Sequence, residues 1–194
     1  MEATAIIDVL SRALSGDAGR VEPVSSGDGM PTLYVAPEHL VDVCLVLRDA
    51  PELRFVLLLD LIPVDYHPRV PRYEVVYLLA CPGVGGYGES PKRLRLKVRV
   101  PAAADGDGQL PSVAGIWASA NWAEREAFDF FGLRFDGHPD LRRVLMPEDW
   151  EGYPLRKDYP VQIKERVKTY APLQVSEEEF VANVESARTR ARKG

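Results

Sequence analysis

Apolar positions recur at helical spacing near the start of the chain, where Ile6, Leu10, Ala13 and Leu14 share one face and Gly16 follows as a stop. VEPVSS (21–26) and PTLYVA (31–36) read as short strands around a GDG turn at 27–29. In APEHLVDVCLVLRDAP, Pro37 suits the first helical position and Pro51 closes the helix, leaving Leu40, Val43, Cys44 and Leu47 as its buried stripe. RFVLLLDLI (54–62) is a continuous apolar run and predicts a central strand; RYEVVYLLAC (72–81) predicts a second. RLRLKVRV (93–100) alternates without a break, with Leu94, Leu96, Val98 and Val100 on one face and Arg93, Arg95, Lys97 and Arg99 on the other. Such a row of cations reads as a solvated outer face; a basic surface turned toward an acidic partner is the sharper alternative.

PAAADGDGQLP (101–111) reads as a linker, and SANWAEREAFDFFGL (119–133) as a helix. Asn121 with Glu124 three residues on is a capping-box pattern, and Gly132 ends the helix. Then comes GHPDLRRVLMPEDWEGYPLRKDYP (137–160), in which Pro139, Pro147, Pro154 and Pro160 forbid a helix or a central strand. Its large apolar residues, among them Leu141, Leu145, Trp150, Tyr153 and Leu155, do not by themselves balance the entropy of ordering so much coil. Charge-assisted hydrogen bonds of Arg142, Arg143, Arg156, Lys157, Asp149 and Asp158 must supply the rest, and a partner surface is the natural place for them. SEEEFVANVESARTRARK (176–193) is a second capped helix, Ser176 pairing with Glu179.

The order predicts an α+β fold: a mixed β-sheet with helices packed on one side (αββαβββ), then a helix, an extended proline-rich arm and a C-terminal helix. The expected division is an α+β body at 1–131, including the helix 121–131, a partner-docking arm at 132–175 and the C-terminal helix at 176–194.

Composition narrows the classes. The 194 residues carry a net charge of −5, which speaks against non-specific nucleic-acid binding. The two cysteines, Cys44 and Cys81, form no CxxC, so neither an iron–sulfur cluster nor a structural zinc site is signalled, and a reducing compartment suits them. The longest apolar run, FVLLL at 55–59, is far short of the ~20 residues a membrane span needs. The acidic, amphipathic N-terminus is expected to be neither a signal nor a transit peptide.

Three stretches tempt toward catalysis. GVGGYG (83–88) fits GxGxxG, but ESPKR and a strand follow it where a pyrophosphate would need a helix N-terminus, so it reads as a glycine loop between strands. Glu126 and Asp129 share a helical face and with His138 could hold a metal; ion pairs with Arg125, Arg134, Arg142 and Arg143 are the plainer reading. His138 beside Asp140 suggests a base and its orienter, but no nucleophile stands in an elbow such as GxSxG.

NWAEREAFDFFGLRFDGHPDLRRVLMPEDWEGYPLRKDYP (121–160) resembles the signature of the C subunit of the proton-translocating NADH–quinone oxidoreductase, respiratory complex I. The resemblance runs through Glu124, Arg125, Glu126, Asp129, Gly132, Phe135, Gly137, His138, Pro139, Leu141, Arg142 and Arg143. It ends in PLRKDYP, at Pro154, Leu155, Arg156, Lys157, Asp158 and Pro160. LLLDLIPVDY (57–66) and RYEVVYLL (72–79) fit more loosely, and Tyr153 stands where many members of the family carry His. The resemblance implies a non-redox subunit of the peripheral arm, inactive alone, with no cofactor of its own. FMN, iron–sulfur clusters, NADH and quinone would belong to the holoenzyme. It implies other complex I subunits as partners, foremost the quinone-binding D subunit, and a peripheral place on the cytoplasmic side of a bacterial cell membrane. The residues expected to meet those partners are Glu124, Arg125, Glu126, Asp129, His138, Arg142, Arg143, Trp150, Leu155, Arg156, Lys157 and Asp158. A homologous subunit of a membrane-bound hydrogenase is the near alternative; a free-standing nucleotide- or metal-dependent enzyme is the distant one.

Overall fold

The protein is described from a computed structural model, which covers residues 3–14, 21–83, 91–102, 106–161 and 176–191. Beyond Gly83, the glycine-rich motif expected as a loop lies outside the described residues, as does the Gly16 stop. The chain divides into two compact units, 1–160 and 161–194. Residues 132–160, set apart as an arm on sequence grounds, therefore belong to the first unit.

In that unit α1 (Ala3–Ala13), β1 (Val21–Pro23), β2 (Thr32–Val35), a 3-10 turn at Pro37–His39, α2 (Leu40–Asp49), β3 (Leu57–Asp65), β4 (Tyr73–Cys81) and β5 (Lys92–Val100) follow in the expected order. They make a five-stranded mixed sheet ordered β1-β2-β5-β4-β3, antiparallel throughout except for the parallel pair β2–β5. Alternation in β5 buries Leu94, Leu96, Val98 and Val100 against one face. On that face they join Tyr73, Val75, Tyr77 and Leu79 of β4 with Ile6 and Leu10 of α1 and Leu40, Val43, Cys44 and Leu47 of α2. The α2 stripe is the one the spacing predicts; in α1, Val9 is buried and Ala13 is exposed.

The apolar run at 54–62 does not become a central strand. It forms β3 at the sheet edge, with Leu57 and Leu59 about half exposed at 45% and 54%. The physical reasons are in the run itself. The register slips between Leu58 and Asp60 in a bulge, and Pro63 has no N–H to give a second neighbour. Three of the four cations on the outer face of β5 are met within the chain. Lys97 bonds Glu74 at 2.8 Å, Arg95 bonds Asp28 at 2.6 Å, and Arg99 lies over the Tyr34 ring.

The stretch 101–111 is not all linker. Gly108–Pro111 forms β6, which pairs in parallel with β7 (Leu133–Asp136) to make a second, two-stranded sheet. Between them lies α3 (Ala120–Phe131). Its N-cap is Ser119, whose hydroxyl donates to Leu58 O on β3, so Asn121 and Glu124 form no capping box. Gly132 does end the helix, in the left-handed conformation at φ 72°. In the second unit α4 (Glu177–Ala191) starts as expected, with Ser176 Oγ accepting the N–H of Glu179 at 3.2 Å and three glutamates in its first turn.

Candidate functional site

Helix α3 and residues 137–160 form one continuous construction. The carboxylate of Asp129 is fully buried. Its Oδ2 accepts the N–H groups of Val144, Leu145 and Met146 at 2.8–3.0 Å, and its Oδ1 takes Arg143 Nη1 at 2.7 Å. Burial works against its charge, but these donors outweigh it and hold the carboxyl below the usual range. Arg143 then reaches on, donating to the carbonyls of Trp150 and Gly152, both at 3.0 Å. One arginine thus joins the helix to two points of the coil.

The C-terminal end of α3 is closed by the PLRKDYP stretch. A helix leaves its last carbonyls unpaired. Here Leu155 N donates to Phe130 O at 3.1 Å and Arg156 Nε to Phe131 O at 2.6 Å. The Arg156 guanidinium also pairs with Asp107 just before β6 and lies over the Tyr153 ring, placing a cation where the helix dipole favours one. This closeness explains Gly132: a Cβ there would overlap Arg156 Nη2 and the Tyr153 ring.

The last clasp reaches back to the main sheet. Arg72, on the way into β4, bonds Asp65 at 2.8 and 3.0 Å and Asp158 at 2.7 and 2.9 Å. Asp65 also accepts the backbone N–H of Lys157 and of His67. Burial opposes the Asp65 charge, yet Arg72 and the two N–H groups bring its pKa down to about 2.

The remaining signature residues are also tied within the chain. Arg125 donates to the carbonyls of Arg142 and Arg143 and lies over Trp122. Arg142 pairs with Asp140. His138 Nδ1 accepts the Asp140 N–H, and its Nε2 lies 3.0 Å from Asn121 O. Glu124 is fully buried, with Ser112 Oγ and the Val113 N–H donating to it at 2.6 and 2.7 Å; burial pushes its pKa up to about 7. The carboxylates and His138 that suggested a metal do not converge. Asp129 faces Arg143, His138 faces the start of α3, and Glu126 is exposed.

These bonds correct the premise that one domain could not support the proline-rich run. Arg142, Arg143, Arg156 and Asp158, expected as clamps on a neighbour, pair with their own chain. Sequence reading missed Asp65, Arg72 and Asp107, the receiving ends of the clasps. They lie outside the signature, 86 residues away in the case of Arg72 and Asp158. Lys157 and Glu126 face outward, as do Arg142 and Asp158 beside their ion pairs, with a set of apolar side chains: Leu155 at 53% exposure, Trp122 and Leu145, and Trp150 half-buried. Leu155 also borders a groove of about 290 Å³ between the β3 edge and α3, flanked by Asp60 and Glu126. Among the described residues no helix is long and apolar enough to cross a membrane.

Known proteins match this chain over most of its length. The C subunit of NADH-quinone oxidoreductase from Roseiflexus sp. (strain RS-1) is 49% identical over 139 residues, 72% of this chain and 75% of that relative. The protein of the same name from Chlorobium phaeobacteroides is 44% identical over 162 residues, 83% of this chain and 90% of its own. Among solved structures, a trypsin-resistant fragment of Nqo5 is 30% identical with a TM-score of 0.51, covering 68% of this chain and 98% of the fragment. A chain of an archaeal membrane-bound sulfane sulfur reductase shares the fold, with a TM-score of 0.65 at 23% identity over 88% of this chain and 95% of that one. The family model described as the 30 Kd subunit of respiratory-chain NADH dehydrogenase matches residues 33–165, the span from β2 through the clasped coil. This chain belongs to that family, the C subunits of NADH-quinone oxidoreductase.

Proposed function

We propose that this chain is a non-redox subunit of the peripheral arm of an NADH–quinone oxidoreductase, where it supports assembly and braces the quinone-binding D subunit. The holoenzyme passes electrons from NADH through FMN and iron–sulfur clusters to quinone, coupled to proton translocation, and those groups sit on other subunits. The complex meets the membrane on its cytoplasmic side, and this chain reaches it only through the assembly. The observation that carries the reading is the use made of charge. Asp129, Arg143, Arg156 and Asp158 of the signature are consumed in fastening residues 137–160 to α3 and the sheet, and apolar side chains such as Leu155, Trp122 and Leu145 are presented on the outside of that clasped structure. A preorganised, partly apolar surface suits permanent docking better than turnover.

The test is affinity purification of the chain from membranes with identification of what accompanies it. Recovery of an NADH-binding flavoprotein subunit and a quinone-binding subunit is expected. Recovery of a nickel-site subunit instead would move the chain to a hydrogenase, and NADH binding by the isolated chain would make it an enzyme in its own right.

A further inference from the structure

Several carboxylates in the first unit meet cations of their own chain: Asp65 with Arg72, Glu74 with Lys97, Asp107 with Arg156, Asp129 with Arg143. Asp60 and Glu126 do not, and these two share a groove. Among the described residues no cation pairs with either. Asp60 Oδ1 accepts only the Leu61 N–H, at 2.8 Å, and both side chains belong to exposed residues. They line the groove of about 290 Å³, Asp60 from the β3 wall and Glu126 from the α3 wall, together with Ile62, Pro63, Phe130 and Leu155. Leu57 and Leu59 of the same strand are exposed as well.

An apolar trough with a carboxylate on either flank is complementary to an aliphatic stem that ends in a cation. In water that cation would be worth little, but stem packing removes water from around it and strengthens the pairing. We propose that this groove receives an arginine or lysine side chain from an extended segment of a neighbouring subunit. Its methylenes lie against Ile62, Pro63 and Phe130, and its charge between Asp60 and Glu126. The segment continues over Leu57 and Leu59, whose exposure it removes. A free cationic metabolite would leave that second stretch uncovered, which is why the occupant is a chain. The inference rests on the assembly reading above and gives it a specific surface.

A photo-activatable cross-linking residue placed at Ile62, in the complex isolated from membranes, tests the occupant directly. The adduct is expected in a different subunit, within a few residues of an arginine or lysine. An adduct to a second copy of this chain, to its own residues 162–194, or to a segment without a cation overturns the inference, as does an intact complex with no adduct. A second variant, Asp60→Asn with Glu126→Gln, removes the charges while keeping the shape and the acceptor for Leu61. About a tenfold or greater loss of the chain from the complex after a salt wash is expected, with the melting temperature of the isolated variant unchanged. Unchanged retention overturns the inference. If the assembly reading itself is wrong, the wild-type chain recovers no flavoprotein subunit, and the inference falls with it; an error confined to the groove shows only in these variants.

Discussion

Asp129 and Arg143 meet at 2.7 Å across 14 residues of chain, one on a helix and one in a coil that has no regular structure of its own. The pair is not an isolated surface bridge. Asp129 is at the same time the acceptor for three successive backbone N–H groups, so its loss would strand four donors together. Asp129→Ala should therefore destabilise the isolated chain by about 3–5 kcal/mol, the range for breaking a buried, hydrogen-bonded pair. Chemical denaturation of wild type and variant measures it. A change below about 1 kcal/mol would mean the coil is held by something else.

Gly132 and Gly137 separate backbone strain from steric overlap. Both have positive φ, 72° and 81°. A Cβ at Gly137 meets nothing, whereas at Gly132 it overlaps Arg156 and Tyr153. Gly137→Ala should show the left-handed penalty alone, about 1–2 kcal/mol. Gly132→Ala should add the loss of the Arg156 clasp and melt clearly lower. Equal melting temperatures for the two would remove Arg156 from the account of Gly132.

The coil should be protected in the isolated chain, because its fasteners are intramolecular. Amide hydrogen exchange is expected to be slow at Val144, Leu145, Met146, Leu155 and Lys157, whose N–H groups are all bonded. The double change Arg156→Ala with Asp158→Ala should speed exchange at Leu155 and Lys157 while leaving the β4–β5 ladder as slow as before. It should also lower the melting temperature of the chain on its own, before any partner is present.

Glu124 and Asp65 give opposite pH signatures. The folded Glu124 keeps its proton to about pH 7, whereas the unfolded group releases it near 4.5. Between those values the folded state holds the extra proton, so this group makes stability fall as pH rises. The slope is roughly 1.4 kcal/mol per unit and the sum on the order of 3 kcal/mol. Glu124→Gln keeps an acceptor for the Val113 N–H, turns its NH2 to the Ser112 hydroxyl, which can accept, and should flatten that slope, gaining on wild type toward pH 8. Asp65 runs the other way. Its folded pKa is about 2 against an ordinary 3.8, so its contribution is complete above about 4 and is lost as the pH falls toward 2. Urea denaturation at intervals from pH 2 to 8 resolves both windows, and a Glu124→Gln profile parallel to wild type would contradict the buried-proton account.

What the sequence showed and what it hid divide along physical lines. Local periodicity sufficed for α2, β4, β5 and the end of α3 at Gly132, because each depends on spacing within one stretch. It misplaced β3, since a run as apolar as FVLLL reads as central although a bulge and Pro63 make it an edge. It missed β6 and β7, four residues each, which exist only because they pair across 25 residues. The candidate site was found as a density of charges and prolines, but the direction of those charges was not legible. Arg156 and Asp158 look outward on paper because Asp107 and Arg72 stand 49 and 86 residues away. The charges expected as clamps on a partner are paired within the chain.

The closing of α3 by Leu155 and Arg156 has a practical side. A protease nick or an expression boundary anywhere between Gly137 and Asp158 would not trim an appendage. Loss of that stretch would uncap a helix, free Asp65 from the Lys157 N–H and Arg72 from Asp158, and leave the buried Asp129 carboxylate without its donors. A soluble fragment for binding work should therefore run through Pro160, and a fusion partner is best joined after it.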